Sequence, residues 1–123
     1  MRNKAFQARR NKHGAVGVRE DGIFFPSKGE HRRYLELKAM EKAKAIKGLL
    51  VHPRYSIVYE DRKICDVVLD FEYYLFVNGG FITVYEDFKG YQTSESKLRH
   101  KLFEAFYNEK ILITRATRQR GLK

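Results

Sequence analysis

Three residues in this 123-residue chain have types and spacing that suit chemistry on a phosphate ester: Asp70, Asp87 and Lys89. Paired carboxylates are the common protein ligands of a hard divalent cation, with water and substrate phosphate completing its shell. Such a cation polarises a phosphoryl oxygen and acidifies a bound water. A lysine beside it can hold the attacking water and offset charge growing on the phosphate. The chemistry that fits is metal-assisted hydrolysis, provided that the fold brings the three side chains together.

The elements around them predict that it does. Residues 64–77 alternate as a strand, with Cys65, Val67, Leu69, Phe71, Tyr73, Leu75 and Val77 directed to a core and Asp66, Asp70 and Glu72 to the other face. Asn78-Gly79 is a strong two-residue hairpin signal. In the return strand, 81–89, Ile82, Val84, Glu86 and Phe88 share the core parity, leaving Phe81, Thr83, Tyr85, Asp87 and Lys89 opposite. A two-residue turn sets Val77 against Gly80 and therefore Asp70 against Asp87, with Cβ atoms about 4.5–5.5 Å apart. A three-residue turn would set Phe71 against Asp87 and break the parity. Facing carboxylates repel, and either a cation or Lys89 alone offers compensation. Glu86, next to Asp87, would take its place if a bulge shifted the register.

Glu30 is a further candidate ligand. Ser27-Lys28-Gly29-Glu30 also reads as a capping box, Ser27 as N-cap and Glu30 at N3, so a purely structural role stands beside the chemical one. The helix it opens carries Tyr34, Leu35, Leu37, Ala39, Met40, Ala43 and Ile46 at helical spacing and is expected to end at Gly48. Before it, 15–19 and 23–25 flank Glu20-Asp21-Gly22 as a small hairpin. After it, 49–60 reads as a strand with Pro53 as an irregularity, and Asp61-Arg62-Lys63 as a turn. Residues 93–108 read as a second amphipathic helix with Leu98, Leu102, Ala105 and Phe106 on its apolar face, and 111–115 as a last strand. The fold class expected is α/β (α+β), a central mixed sheet flanked by two main helices.

The net charge of +10 is unevenly spread. Arg2, Lys4, Arg9, Arg10 and Lys12 stand in residues 1–13 without an acid, and Arg115, Arg118, Arg120 and Lys123 in 115–123 likewise. The reading is one domain, 14–115, between a basic arm, 1–13, and a basic tail, 116–123. Two basic arms on a folded body suit a polyanion, most simply nucleic acid. Arg32, Arg33, Lys97, Arg99 and Lys101 are candidate phosphate contacts or a solvated helix face. The lone Cys65 excludes an internal disulfide and a cysteine-based zinc site. His13, His31, His52 and His100 lack tight ligand spacing and are read as surface or packing residues. No apolar run approaches the ~20 residues of a membrane helix, no signal peptide is read, and a cytoplasmic setting is expected. Neither a Ser/His/Asp set nor a phosphate-binding glycine loop is present.

Asp70, followed at a distance by Asp87-Phe88-Lys89, resembles the signature of the PD-(D/E)XK nuclease superfamily. The stretches Ser27–Tyr34, Leu69-Asp70-Phe71, Glu86–Gly90 and Lys97–Phe103 resemble a small phage-encoded family held to be nucleases, over about residues 14–115, and are similar in order to archaeal-type Holliday-junction resolvases. Leu69 stands where the signature has Pro, and Asp87 where Glu is more usual. The resemblance implies a restriction-endonuclease-like core. It implies Asp70, Asp87 and Glu30 as ligands of Mg²⁺ (or Mn²⁺) and Lys89 as the catalytic lysine. It also implies branched DNA as substrate and a homodimer, with Arg9, Arg10, Lys12, Arg32, Arg33, Lys97 and Lys101 as DNA contacts. The alternative is a non-catalytic basic module that binds nucleic acid.

Overall fold

Ser27 starts the first helix as the spacing predicts: its hydroxyl accepts the Glu30 amide at 3.1 Å. The computed structural model describes residues 17–89 and 92–115; the basic arm with Arg9, Arg10 and Lys12, Gly90, and the tail beyond Arg115 lie outside them. The elements are β1 (Val18–Glu20), β2 (Ile23–Phe25), α1 (Lys28–Lys42), β3 (Ile46–Val51), β4 (Arg54–Tyr59), β5 (Arg62–Val68), β6 (Phe71–Val77), β7 (Gly80–Phe88), α2 (Ser94–Tyr107) and β8 (Ile111–Thr114). This is an α+β fold. A four-stranded mixed sheet, β3-β6-β7-β8, is antiparallel except for the β7–β8 pair, and β1-β2 and β4-β5 are separate hairpins. The parallel pair is joined through α2, as a parallel connection requires a crossover. Among the described residues no helix is long and apolar enough to cross a membrane.

Asn78 (φ +48°) and Gly79 (φ +81°) form the two-residue turn, and Val77 pairs with Gly80 as the parity argument requires. Three expectations are corrected. Helix α1 ends at Lys42 rather than running to Gly48. Ala45 N–H bonds to Met40 O and Lys44 N–H to Glu41 O, a Schellman closure with Lys44 in the left-handed region at φ +67°. Gly48 (φ +68°) instead lies where the register of β3 against β6 shifts, its Cα facing the Tyr74 ring so closely that a Cβ would stand 3.0 Å from it. Second, the strands expected over 49–60 and 64–77 are each split in two. The splits fall at His52-Pro53 and Leu69-Asp70, and they are tied together: His52 N–H donates to Asp70 O at 2.9 Å and Leu69 N–H to Pro53 O at 3.1 Å. The β4-β5 hairpin leaves the main sheet at this shared corner.

Third, of the expected α2 stripe only Leu102 packs inward, half-buried beside the fully buried Phe103, while Leu98, Ala105 and Phe106 face outward. Two small cores follow, one on each face of the sheet. Phe25, Tyr34, Leu37, Ile46, Phe71 and Tyr73 pack under α1; Ile57, Val67, Leu69 and Phe103 pack under α2 and the β4-β5 hairpin. The odd-numbered residues from Cys65 to Leu75 therefore do stay buried or half-buried, but the corner at Leu69-Asp70 sends Val67 and Leu69 to one core and Phe71 and Tyr73 to the other. Val77 and Ile82, expected inside, are exposed because they lie beyond Leu75 and Val84, where packing against the α1 core stops. Cys65 is half-buried against the second core.

Candidate metal-binding site

The site lies at that double corner. Glu30 reaches it from the first turn of α1, which is brought close by Gly29: a Cβ there would stand 2.6 Å from the Phe88 ring. His52 reaches it from a left-handed residue (φ +58°), a conformation uncommon outside glycine and concentrated at functional sites. Asp70 sits just before β6, opposite Asp87 at the end of β7. Its N–H donates to Asp87 Oδ1 at 3.0 Å, and its Oδ2 accepts the Phe88 N–H at 2.7 Å. The two aspartates thus continue the hairpin register by side chain where the ladder stops.

Glu30, His52 and Asp70 each offer one ligand atom, all within 4.8 Å of one another. Glu30 Oε2 lies 2.7 Å from His52 Nε2, so this carboxylate faces the site while Ser27 caps the helix. Asp87 is buried beside them, and its Oδ2 is directed to His100 Nε2 at 2.7 Å and Lys89 Nζ at 3.2 Å. His100 is in turn 3.0 Å from the Gln92 amide through Nδ1. Asp87, Lys89 and His100 open onto a cleft of about 330 Å³, bordered by Asp66, Thr93, Ser96 and Arg99.

The electrostatics separate the two aspartates. Burial, with Asp87 and Glu30 close by, pushes the Asp70 carboxyl up to about 9. Burial works the same way on Asp87, but the His100 hydrogen bond and the Lys89 charge outweigh it and hold that carboxyl below its ordinary value. One half of the site is therefore charge-compensated by the protein. The other half, Glu30 and Asp70, gathers acid in a buried place with an imidazole beside it, a donor set suited to a divalent cation.

Glu86 has a different task. Fully buried on the α1 face, it accepts Arg33 Nε at 2.6 Å, Arg33 Nη2 at 3.0 Å, the Tyr73 hydroxyl at 2.6 Å and Thr114 Oγ1 at 3.1 Å. The Arg33 and Tyr73 protons are both held more tightly for it. Of the two adjacent acids, Asp87 is the one that faces Asp70. Arg33, a candidate DNA contact, is engaged by Glu86 and Glu36, whereas Arg32, Lys97 and Lys101 are exposed. His52 and His100, read from spacing as surface or packing residues, belong to the site. Their partners lie 22 and 13 residues away, a distance over which ligand-spacing rules carry no signal. Pro53 marked the corner that aims His52.

Fold and site together define an α+β protein with a partly buried carboxylate–histidine cluster at the broken end of its central hairpin. The chain belongs to the family described as "Protein of unknown function (DUF1064)", whose pattern matches residues 10–121. No curated protein and no solved structure matches it.

Proposed function

We propose that this protein is a Mg²⁺- or Mn²⁺-dependent DNA endonuclease of PD-(D/E)XK type. The observation that carries the reading is the convergence of Glu30, His52 and Asp70 within 4.8 Å, beside Asp87 and Lys89. Glu30 and Asp70, with His52, would hold the cation, which when bound polarises a phosphoryl oxygen and lowers the pKa of water. Lys89, a quarter exposed at the cleft, presents a fixed ammonium to a phosphate oxygen and is oriented by Asp87. His100 shares Asp87 and keeps that carboxylate charged. Branched DNA as substrate and a homodimer with two sites follow from the resemblance to junction resolvases. Nothing among the described residues forms a base-reading motif, which favours recognition of shape.

A cleavage panel of four-way junction, flap, single-stranded and linear duplex DNA tests this. Mg²⁺ or Mn²⁺ should give nicked products on the branched substrates and EDTA none. Asp87→Asn and Lys89→Ala should lower cutting by at least about a hundredfold, in line with loss of an oriented charge-stabilising group, while binding persists. Equal cutting by Asp87→Asn and wild type would remove the site assignment. A second reading, the non-catalytic nucleic-acid-binding module, is favoured by one observation: Asp87 already has an ion-pair partner in Lys89 and a hydrogen-bond partner in His100. It predicts salt-sensitive binding with no metal-dependent product on any substrate.

A further inference from the structure

At the far end of the same hairpin the sheet carries three aromatic rings that neither core formed by the described residues absorbs. Tyr74, Phe76 and Phe81 are 42%, 45% and 45% exposed. The register places them on one face, because Phe76 pairs with Phe81 and Tyr74 with Thr83. Their rings are contiguous: the Phe76 and Phe81 centroids are 4.2 Å apart, those of Tyr74 and Phe81 6.2 Å. On edge strand β3, Lys47 pairs with Tyr74 and holds its ammonium 4.0 Å from the Phe81 ring centroid. The sequence around the rings is one-signed. Residues 73–85 contain no charged side chain, and 42–51 contain Lys42, Lys44 and Lys47 with no acid. Glu72, the nearest acid on this face, lies towards the covered end, where the Tyr55 hydroxyl donates to it.

Aliphatic side chains would serve a buried protein interface as well as these do, and a lysine at its centre would oppose burial. Flat rings with the Lys47 ammonium against them, and Lys42 and Lys44 on the same stretch of chain, match instead the pairing of base stacking with phosphate attraction that single strands offer. We propose that Tyr74, Phe76 and Phe81, with Lys47, form a stacking platform for unpaired bases of single-stranded DNA. The platform is separate from the metal-site residues. It shares with the nuclease reading only the class of ligand, and it stands whether or not the protein cuts.

The test is binding of a fluorescent oligo-dT and of a duplex of equal length, in EDTA, with the full chain carrying Asp87→Asn so that no cutting enters. Phe81→Leu, which keeps apolar bulk and removes the ring, should weaken oligo-dT binding about tenfold and leave duplex binding within about twofold. Phe76→Leu should do the same, and Lys47→Gln should flatten the salt dependence. Photocrosslinking with an iodouracil-substituted strand should label Tyr74 or Phe81. All these residues are surface-exposed, and unchanged melting temperatures verify that the variants fold. The proposal is overturned if both Leu variants bind oligo-dT as wild type does. It is equally overturned if light scattering shows a dimer that Phe81→Leu dissociates while single-strand affinity is unchanged, which would make the rings a contact between copies.

Discussion

Asp70 and Asp87 face each other with opposite proton affinities, and that contrast is measurable. Without metal, the folded state holds a proton on Asp70 up to pH about 9 that the unfolded chain releases near the ordinary 3.8. The folded state thus binds more protons between those values, and stability falls as pH rises through the window, by at most about 1.4 kcal/mol per pH unit for one group. Asp87 works the other way, contributing stability above its ordinary value that is lost as pH falls below it. In EDTA, wild-type protein should lose melting temperature from pH 5 to pH 8, and Asp70→Asn should flatten that slope. Metal must displace the Asp70 proton, so Mn²⁺ should raise the melting temperature more at pH 8 than at pH 5.5, and should not do so in Asp70→Asn. Parallel curves for the two proteins would show that Asp70 is not the titrating group. Glu86 gives the contrasting case. Glu86→Ala takes the shared acceptor from the Tyr73 and Thr114 hydroxyls and leaves Arg33 only the exposed Glu36 as partner. Chemical denaturation should show a loss of about 3 kcal/mol, whereas Asp87→Asn should lose far less stability and, on the nuclease reading, the metal-dependent cutting.

At the scale of elements, the sequence carried the hairpin that frames the site and did not carry the corner that completes it. Asn78-Gly79 and the alternation on either side specify the pairing of Asp70 with Asp87, because turn type and parity are local properties. The corner is tertiary. It needs His52 N–H and Leu69 N–H to find acceptors on the other chain segment, and only Pro53 hinted at it. His52 and His100 were invisible for the same reason: one is aimed by that corner, the other by docking of α2. Helix α2 also shows why periodicity can choose the wrong face. Leu98, Leu102, Ala105 and Phe106 make a fair apolar stripe, of which only Leu102 packs inward; Phe103 meets Tyr55 and Tyr85 at ring centroid distances of 4.9 and 5.2 Å and fixes the helix orientation. Phe103→Ala should therefore lower stability by about 3–5 kcal/mol, read by urea denaturation, against less than about 0.5 kcal/mol for the exposed Leu98→Ala. Similar losses for the two would mean that α2 docks through the other stripe.

For the whole molecule the controlling quantity is where its charge lies. Residues 14–114 carry close to a balanced charge, and most of the +10 belongs to the two ends. Even with Asp70 protonated, the Glu30 and Asp87 carboxylates at this corner face Lys89 alone among fixed cations, so the site by itself offers a phosphate backbone no net attraction. On the nuclease reading, attraction must then come from cations elsewhere, and a bound metal would make the last approach favourable. This division of labour predicts two separable salt effects. Affinity for DNA in EDTA should fall steeply with salt, because each phosphate contact releases counterions with a logarithmic slope of about −0.9 on duplex. Replacing Arg9, Arg10 and Lys12 together by Ala should make that slope shallower by up to about 2.7, while the metal-dependent rise in melting temperature, a property of Glu30, His52 and Asp70, stays as in wild type. Titrations of duplex binding from 50 to 300 mM salt would measure the first, and thermal shifts with Mn²⁺ the second. An unchanged slope would place the phosphate contacts on the folded body, on Arg32, Lys97 and Lys101, and the arms would then have no part in drawing DNA to the site.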